Sequence, residues 1–274
     1  MRKSELAILI VGFDGYNCLW TPFFELLKKN WPDCPYKIYL VTNMLEPEYE
    51  NVKVITTSEK YQWSLKVRRA LLNIDEEYIY MLLEDFFICY PVHTNDVEEL
   101  FSYIVNNDIL YVKTPYKGVR ERKKHHFRGQ KHYYEIMKNE KYGISLLPGI
   151  WQKNFLLDLI GDKDYNPWKF EWDRIQESRH RECKAFKNCF TYSENILSIY
   201  NGVIQGKYVR DTYKRIERQG IKLDQSKIPI MDLKTYILLC LKRIGIVITP
   251  KRLEPIVKRI ASKFGFVFVS DINA

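Results

Sequence analysis

The stretch Tyr78-Ile79-Tyr80-Met81-Leu82-Leu83-Glu84-Asp85-Phe86-Phe87-Ile88 decides how this chain is read. It is a run of apolar, strand-favouring residues interrupted by two adjacent carboxylates. A run this apolar reads as a strand buried on both faces, as in a parallel sheet covered by helices. Two ionised carboxylates inside such a sheet would cost several kcal/mol, on the order expected for uncompensated buried charge, so they belong where the strand ends. In open α/β sheets the carboxyl edge of the strands is where ligands bind. Acidic oxygens there hold divalent cations that in turn hold phosphates, or they cap a helix or pair with Lys and Arg.

The surrounding pattern supports a parallel sheet. Leu6 to Gly12 (LAILIVG) reads as a first buried strand, with Phe13-Asp14-Gly15 as the turn after it. Thr21-Pro22 marks a helix start, a hydroxyl cap followed by proline in the first turn. Tyr36 to Val41 and Val52 to Ile55 read as strands. Ser58 to Ile74 is helical in pattern, with Trp63, Val67, Ala70, Leu71 and Ile74 on one face. Strands alternating with helices over about ninety residues argue for βαβ units. Further on, Asn95 to Val105 reads as a helix, Asp108 to Val112 and Tyr142 to Leu147 as strands, and Trp151 to Ile160 as an apolar helix. Asn166-Pro167 starts another helix. Cys189 to Val209 is mixed and β-prone, and the tail from Met231 has two helical segments. These features predict an α/β domain over residues 1–210 and a basic helical extension over 211–274.

Composition narrows the class. With 274 residues, 46% hydrophobic content, 20 Tyr and 14 Phe, the chain has ample material for one large core. No stretch reaches the ~18 to 20 apolar residues of a membrane span. No signal peptide is evident, and the six scattered cysteines lack zinc spacing, so a cytoplasmic location with reduced thiols is expected. The net charge of +9 is concentrated: Lys117 to His132 carries +6 and Met231 to Phe268 another +6, leaving the remainder at −3. A slightly acidic body with two basic appendages suits local contact with phosphates or anionic lipid. It lacks a recognisable nucleic-acid-binding module. In the tail, Tyr236 to Arg243 and Ile256 to Phe268 are basic and amphipathic. Such helices rest on the inner face of an anionic membrane or pack on the main domain.

The order of motifs resembles that of small bacterial GT-A-type glycosyltransferases of capsular and other surface polysaccharide synthesis. The resemblance covers roughly residues 5–205. It rests on Trp20-Thr21-Pro22-Phe23-Phe24, Trp31-Pro32-Asp33-Cys34-Pro35-Tyr36, Leu82 to Ile88, Ser145-Leu146-Leu147-Pro148-Gly149-Ile150-Trp151 and Asn166-Pro167-Trp168-Lys169-Phe170-Glu171. It implies a Rossmann-like, mixed and mostly parallel sheet flanked by helices, and transfer of a sugar from a nucleoside diphosphate donor to a glycan or lipid-linked glycan.

The resemblance also implies site residues. Glu84 and Asp85 stand where the family has Asp-x-Asp, with Phe86 at the third position. Mn²⁺ or Mg²⁺ held there would need its coordination completed by diphosphate and water. Without a metal, Lys or Arg would have to neutralise the leaving group. Asp14, Thr42 and Asn43 are candidates for the nucleoside, with Trp63, Lys66 and Arg69 adding stacking or charge. Trp63 serves equally as core packing, and the two cations as a solvated helix face. Inverting transfer needs a base for the acceptor hydroxyl. Glu171, behind the Trp-containing loop, is the candidate, with Asp173 as the fallback; Glu171 otherwise favours its helix N-terminus. Trp151 and Trp168 are candidates for stacking on the acceptor, with buried structural tryptophan as the commoner alternative for either. Lys117 to His132 suits a lid over the diphosphate or, equally, a plain solvated loop. The rival reading is a non-catalytic nucleotide- or glycan-binding protein on the same fold.

Overall fold

The computed structural model describes residues 5–114, 126–137, 140, 142–178 and 187–248, with side chains to Leu241. Strand β1 (Leu6–Val11) is buried along its whole length and is the axis of the sheet. A 3-10 helix at Asp14–Leu19 leads into α1 (Trp20–Asn30), followed by β2 (Lys37–Thr42), β3 (Val52–Thr56) and α2 (Trp63–Leu72). The chain then returns through β4 (Tyr78–Leu83), β5 (Phe86–Ile88), α3 (Thr94–Asn106), β6 (Tyr111–Lys113) and β7 (Tyr133–Glu135). Strand β8 (Gly149–Gln152), helices α4 (Lys153–Ile160) and α5 (Pro167–Glu177), and strands β9 (Cys189–Tyr192), β10 (Ile199–Asn201), β11 (Val203–Ile204) and β12 (Lys207–Tyr208) come next, then α6 (Arg210–Glu217) and α7 (Leu233–Ile248).

Eight strands form one sheet in the order β3-β2-β1-β4-β8-β6-β9-β7. β3, β2, β1 and β4 run parallel, as does the β6–β9 pair, while β8 is antiparallel to both its neighbours. The sheet is therefore mixed and mostly parallel, flanked by helices, as the sequence predicts. Ala7, Leu9 and Val11 of β1 join Val67, Ala70 and Leu71 of α2, Leu156 of α4 and Phe170 of α5 in one core cluster. The alternate residues Ile8 and Ile10 are fully buried as well. That double burial is why β1 lacks polar alternation. β1 pairs with β2 on one side and β4 on the other, so the strand order reverses between β1 and β4. Such a reversal opens a crevice at the carboxyl ends of the two strands.

Three local expectations are corrected. The apolar run does not continue through the carboxylates: β4 ends at Leu83, the chain turns at Glu84-Asp85, and β5 pairs instead with β10 in a separate two-stranded sheet. Trp151 lies on β8 rather than on a helix, which begins at Lys153 where the Gln152 side chain accepts the Phe155 N–H at 2.7 Å. Tyr142 to Leu147 forms no strand; the strand is at Gly149–Gln152. The Asn166-Pro167 helix start is as expected, with Asn166 capping the Lys169 N–H at 2.9 Å.

The chain divides into two compact units, Met1–Pro229 and Ile230–Ala274. The first extends past residue 210, because α6 and the turn behind it are tied down. The Gln219 side chain donates to Cys89 O at 2.9 Å and accepts from Asn30 at 3.0 Å. In the second unit, Asp232 caps α7 through the Thr235 N–H and hydroxyl at 2.9 and 2.7 Å. Leu233, Ile237 and Leu241, four residues apart along α7, are exposed. Among the described residues no helix is long and apolar enough to cross a membrane. Residues 115–125 of the basic central segment and the 256–268 helical segment lie outside the described residues.

Candidate active site

The carboxyl edge of β1 and β4, where the strand order reverses, gathers charged groups from the segments after β1 and β4 and from α2. Glu84 and Asp85 occupy the turn after β4; Glu84 is buried and Asp85 half-buried. Burial pushes the Glu84 carboxyl well above the usual range, and the neighbouring Asp85 charge pushes it further. Its own N–H, Lys66 and the Phe13 N–H offset part of this. Asp85 is also raised by burial, against its own N–H and that of Val203. Two adjacent carboxyls that are both costly to ionise gain most from a cation brought alongside.

Lys66 reaches this crevice from α2. It is buried, and its Nζ donates to Gly12 O at 2.5 Å and to Asn43 Oδ1 at 3.2 Å. Burial lowers its pKa, while Glu84 and Asp14 act to keep it charged. Asp14 follows β1, and both its oxygens are engaged. Oδ1 accepts from Asn43 N at 2.8 Å, and Oδ2 from Met44 N at 2.8 Å and Leu45 N at 3.0 Å. The carboxylate thus fixes the loop after β2. Thr42 donates to Leu45 O at 2.6 Å, and the Asn43 amide donates to Ser58 O at 2.9 Å and Tyr61 O at 3.2 Å. Asp14, Thr42, Asn43, Lys66, Glu84 and Asp85 therefore meet at one sheet edge.

A rim of exposed apolar side chains surrounds this cluster, and sequence reasoning missed it. Phe13 is 54% exposed, directly after β1, with the Lys66 ammonium 5.8 Å from its ring centroid. Met44, Leu45 and Tyr61 are also exposed on the adjoining loops. An aromatic placed at the end of a buried strand, where burial is no longer needed, was the available signal for Phe13.

Glu171 approaches the same edge from the other half of the sheet. Met81, Gly149 and Lys113 share a register row across β4, β8 and β6, which puts Lys113 about 10 Å from Met81 at ordinary strand spacing. Burial raises the Glu171 pKa, offset by the Leu146 N–H, which its Oε1 accepts at 3.0 Å, and by the Lys113 charge. Lys113 is itself buried and donates to Tyr142 O at 2.9 Å, with Glu140 at 3.6 Å. Asp173 is paired with Lys169 at 2.9 Å. Trp168 is 60% exposed on the first turn of α5.

Two tryptophans and one arginine stand elsewhere. Trp151 is fully buried, its ring 3.9 Å from that of Tyr111, so it has no face for an acceptor sugar. The cause is its place on β8, in the middle of the sheet. Trp63 is packed on Phe170 at 5.1 Å within the core and is not available for stacking on a base. Arg69 is exposed on the last turn of α2. Among the described residues no group of three or more His, Cys, Asp or Glu side chains is set to hold a metal ion.

No family model matches the sequence, and no curated protein matches it. Solved structures match in fold. The S. aureus TarS fragment 1–349 in complex with UDP-GlcNAc is 12% identical, with 92% of this chain and 78% of that chain covered and a TM-score of 0.50. A cytidylyltransferase from Leptospira borgpetersenii is 12% identical over 91% of this chain and 99% of that one, with a TM-score of 0.49. Glucosyl-3-phosphoglycerate synthase from Mycobacterium tuberculosis, in complex with Mn²⁺, UDP and phosphoglyceric acid, is 11% identical over 84% and 80%, with a TM-score of 0.44. The sheet order, its single antiparallel β8 within the central strands and the match to TarS define a GT-A-like, Rossmann-related α/β fold.

Proposed function

We propose that this chain is a glycosyltransferase that moves a sugar, with inversion, from a nucleoside diphosphate donor to a glycan or lipid-linked glycan in surface polysaccharide synthesis. The observation that carries this reading is the position of Glu84 and Asp85. They end β4 at the β1/β4 reversal, across from Phe13, Asp14, Asn43 and Lys66. Phe13 offers an exposed ring for a nucleobase, and the Asp14-anchored loop at residues 43–45 forms the wall beside it. TarS, the structure matched with a TM-score of 0.50, is a UDP-GlcNAc complex.

The donor set fits Mn²⁺ or Mg²⁺ held by one or two carboxylates plus diphosphate and water, not a cation caged by protein. Asp85, half-buried, would be the main ligand, with Glu84 behind it. A cation there would neutralise charge on the departing diphosphate. Lys66, tied to Gly12 and Asn43, fixes the crevice floor and keeps positive charge beside Glu84.

On the acceptor side, Glu171 takes the proton of the attacking hydroxyl. That oxygen bonds to the anomeric carbon as the bond to the diphosphate oxygen breaks, and the electron pair leaves with the diphosphate. The raised pKa of Glu171 makes it a stronger base than a solvated carboxylate. Asp173, paired to Lys169, is the fallback. Trp168 offers its exposed ring to the acceptor. We assign residues 230–274, of which α7 is the described helix, to a basic C-terminal extension. The exposed row Leu233, Ile237 and Leu241 supports peripheral contact with the inner face of a membrane, where a lipid-linked acceptor would lie.

The test is calorimetry with UDP, GDP and CDP, each with and without Mn²⁺. Binding of one nucleotide that weakens at least tenfold without metal is the expected result, and binding of none would overturn the reading. One observation favours the rival, a binding protein without turnover: Glu171 and Asp14 already accept backbone N–H groups. Donor hydrolysis by the purified chain separates the two.

A further inference from the structure

The acidic turn is held from behind by a segment more than a hundred residues later in the chain. β5, which follows Asp85 directly, pairs antiparallel with β10, with Tyr200 opposite Phe87 and Asn201 opposite Phe86. The next residue, Gly202, donates its N–H to Asp85 O at 2.7 Å. The Val203 N–H donates to Asn201 Oδ1 at 3.1 Å, which fixes the chain on the far side of Gly202. The segment folds back as the β11–β12 hairpin, with Val203 opposite Tyr208 and Ile204 opposite Lys207.

The hairpin is anchored in turn. Val209 N donates to Gly202 O at 2.8 Å, Thr212 Oγ1 to Asn201 O at 2.9 Å and Tyr208 N to Pro229 O at 2.9 Å. Gly202 has no room for a side chain. A Cβ there would stand 2.2 Å from Phe87 Cε2 and 2.4 Å from Cδ2, and 3.1 Å from Asp85 O. Phe87 is fully buried and cannot swing away. Any side chain at 202 must therefore push the hairpin off the acidic turn or push the turn itself.

We propose that Ile199–Tyr208 is a clamp that sets the position of Asp85, with Gly202 as its positioning residue. The inference rests on the reading of Asp85 as the metal–diphosphate ligand. A carboxylate that must meet a cation and a diphosphate tolerates displacement of only about 0.5 Å, so the close approach at Gly202 has a functional reason beyond packing.

The test is calorimetric binding of UDP in the presence and absence of Mn²⁺ to the full chain and to Gly202→Ala, Asp85→Asn and the double variant. Gly202→Ala is expected to lose at least tenfold in the Mn²⁺-dependent part of UDP affinity, with metal-free uridine binding unchanged. The double variant is expected to lose no more than Asp85→Asn alone, since both act through one carboxylate. A merely structural glycine would lower uridine and UDP affinity together, and its loss would add to that of Asp85→Asn; either result overturns the clamp.

Should Gly202→Ala fail to fold, Thr212→Val removes the hydroxyl that holds Asn201 O, next to Gly202, and a loss in the same Mn²⁺-dependent part of UDP affinity is expected. Wild-type chain that binds UDP with Mn²⁺ while the variants bind equally well overturns the clamp and leaves the proposed function standing. Wild-type chain that binds no nucleotide overturns both.

Discussion

The Lys66 ammonium lies 2.5 Å from the carbonyl oxygen of Gly12, at the end of a strand whose sheet neighbour carries Glu84. A lysine buried this way joins three elements: α2 through its backbone, β1 through Gly12, and the loop after β2 through Asn43. Replacing it with methionine keeps the stem and removes the charge. Gly12 O and Asn43 Oδ1 then lose a donor, and Glu84 loses the positive charge that offsets part of its burial. We expect Lys66→Met to lower stability by about 1–3 kcal/mol, the range for leaving buried polar groups unsatisfied. It should also weaken nucleotide binding, as urea unfolding and calorimetry would measure. Unchanged stability would show that water replaces the ammonium.

Glu76 gives a pH signature outside the site. Its side chain is buried, with Lys37 Nζ at 2.7 Å and the Tyr39 hydroxyl donating at 3.0 Å. Burial alone would raise its pKa; the bonds from Lys37, its own N–H and Tyr39 outweigh that and hold it below the ordinary 4.5. A lowered folded pKa stabilises the native state above the unfolded value, and this is lost as pH falls through the folded one. Glu76→Gln should therefore melt lower than wild type at pH 7, by about 1 kcal/mol after screening of the exposed Lys37. The gap should narrow as pH falls below 4.5 and close once pH has passed through the lower folded value. A gap constant between pH 7 and pH 3 would mean that the charge contributes nothing.

Several of these relationships were legible in the sequence and others were not, for identifiable reasons. LAILIV was readable because a strand buried on both faces carries no polar alternation; in YKIYLV the run Tyr39-Leu40-Val41 carried the signal, with Lys37 exposed at its start. The carboxylates of Glu84-Asp85 were readable as a strand end because charge is costly inside a sheet. Trp151 lies on a strand, Gly149-Ile150-Trp151-Gln152, too short to show a period of its own before the helix that follows it directly. The break into β4 and β5 was invisible because β5 is defined by its pairing with β10, over a hundred residues on. The same holds for Gly202, whose need for a bare Cα arises from Phe87. Lys113 gave no signal because its meaning depends on the register of β6 against β8.

Gly149 tests that register. A Cβ there would stand 2.7 Å from Val112 O and 2.9 Å from the Tyr111 ring. One of these neighbours is backbone in the adjacent strand and the other is a fully buried side chain, so neither yields cheaply. Gly149→Ala should lower stability by about 1–3 kcal/mol through overpacking, read as a shift in the urea midpoint. A neutral effect would mean that β8 moves freely between β4 and β6, contrary to the pairing on both its sides.

Glu171 carries two roles that one substitution separates. As an anchor, its Oε1 accepts the Leu146 N–H; as the proposed base, it must carry negative charge and accept a proton. Glutamine retains the accepting oxygen and removes the basicity. Because burial raises the folded pKa of Glu171, ionisation at neutral pH costs the native state stability: the favourable contribution is complete below pH 4.5 and is lost as pH rises through the folded value. Glu171→Gln should therefore melt at or above wild type at pH 7.5, bind the nucleotide equally well, and turn over about 10² to 10⁴-fold more slowly. In wild type the rate should fall on the acid side at a pH above that of an ordinary glutamate, and this limb should vanish in the variant. A glutamine variant that is active with the acid limb intact would assign Glu171 to the anchor alone and move the search for the base to Asp173.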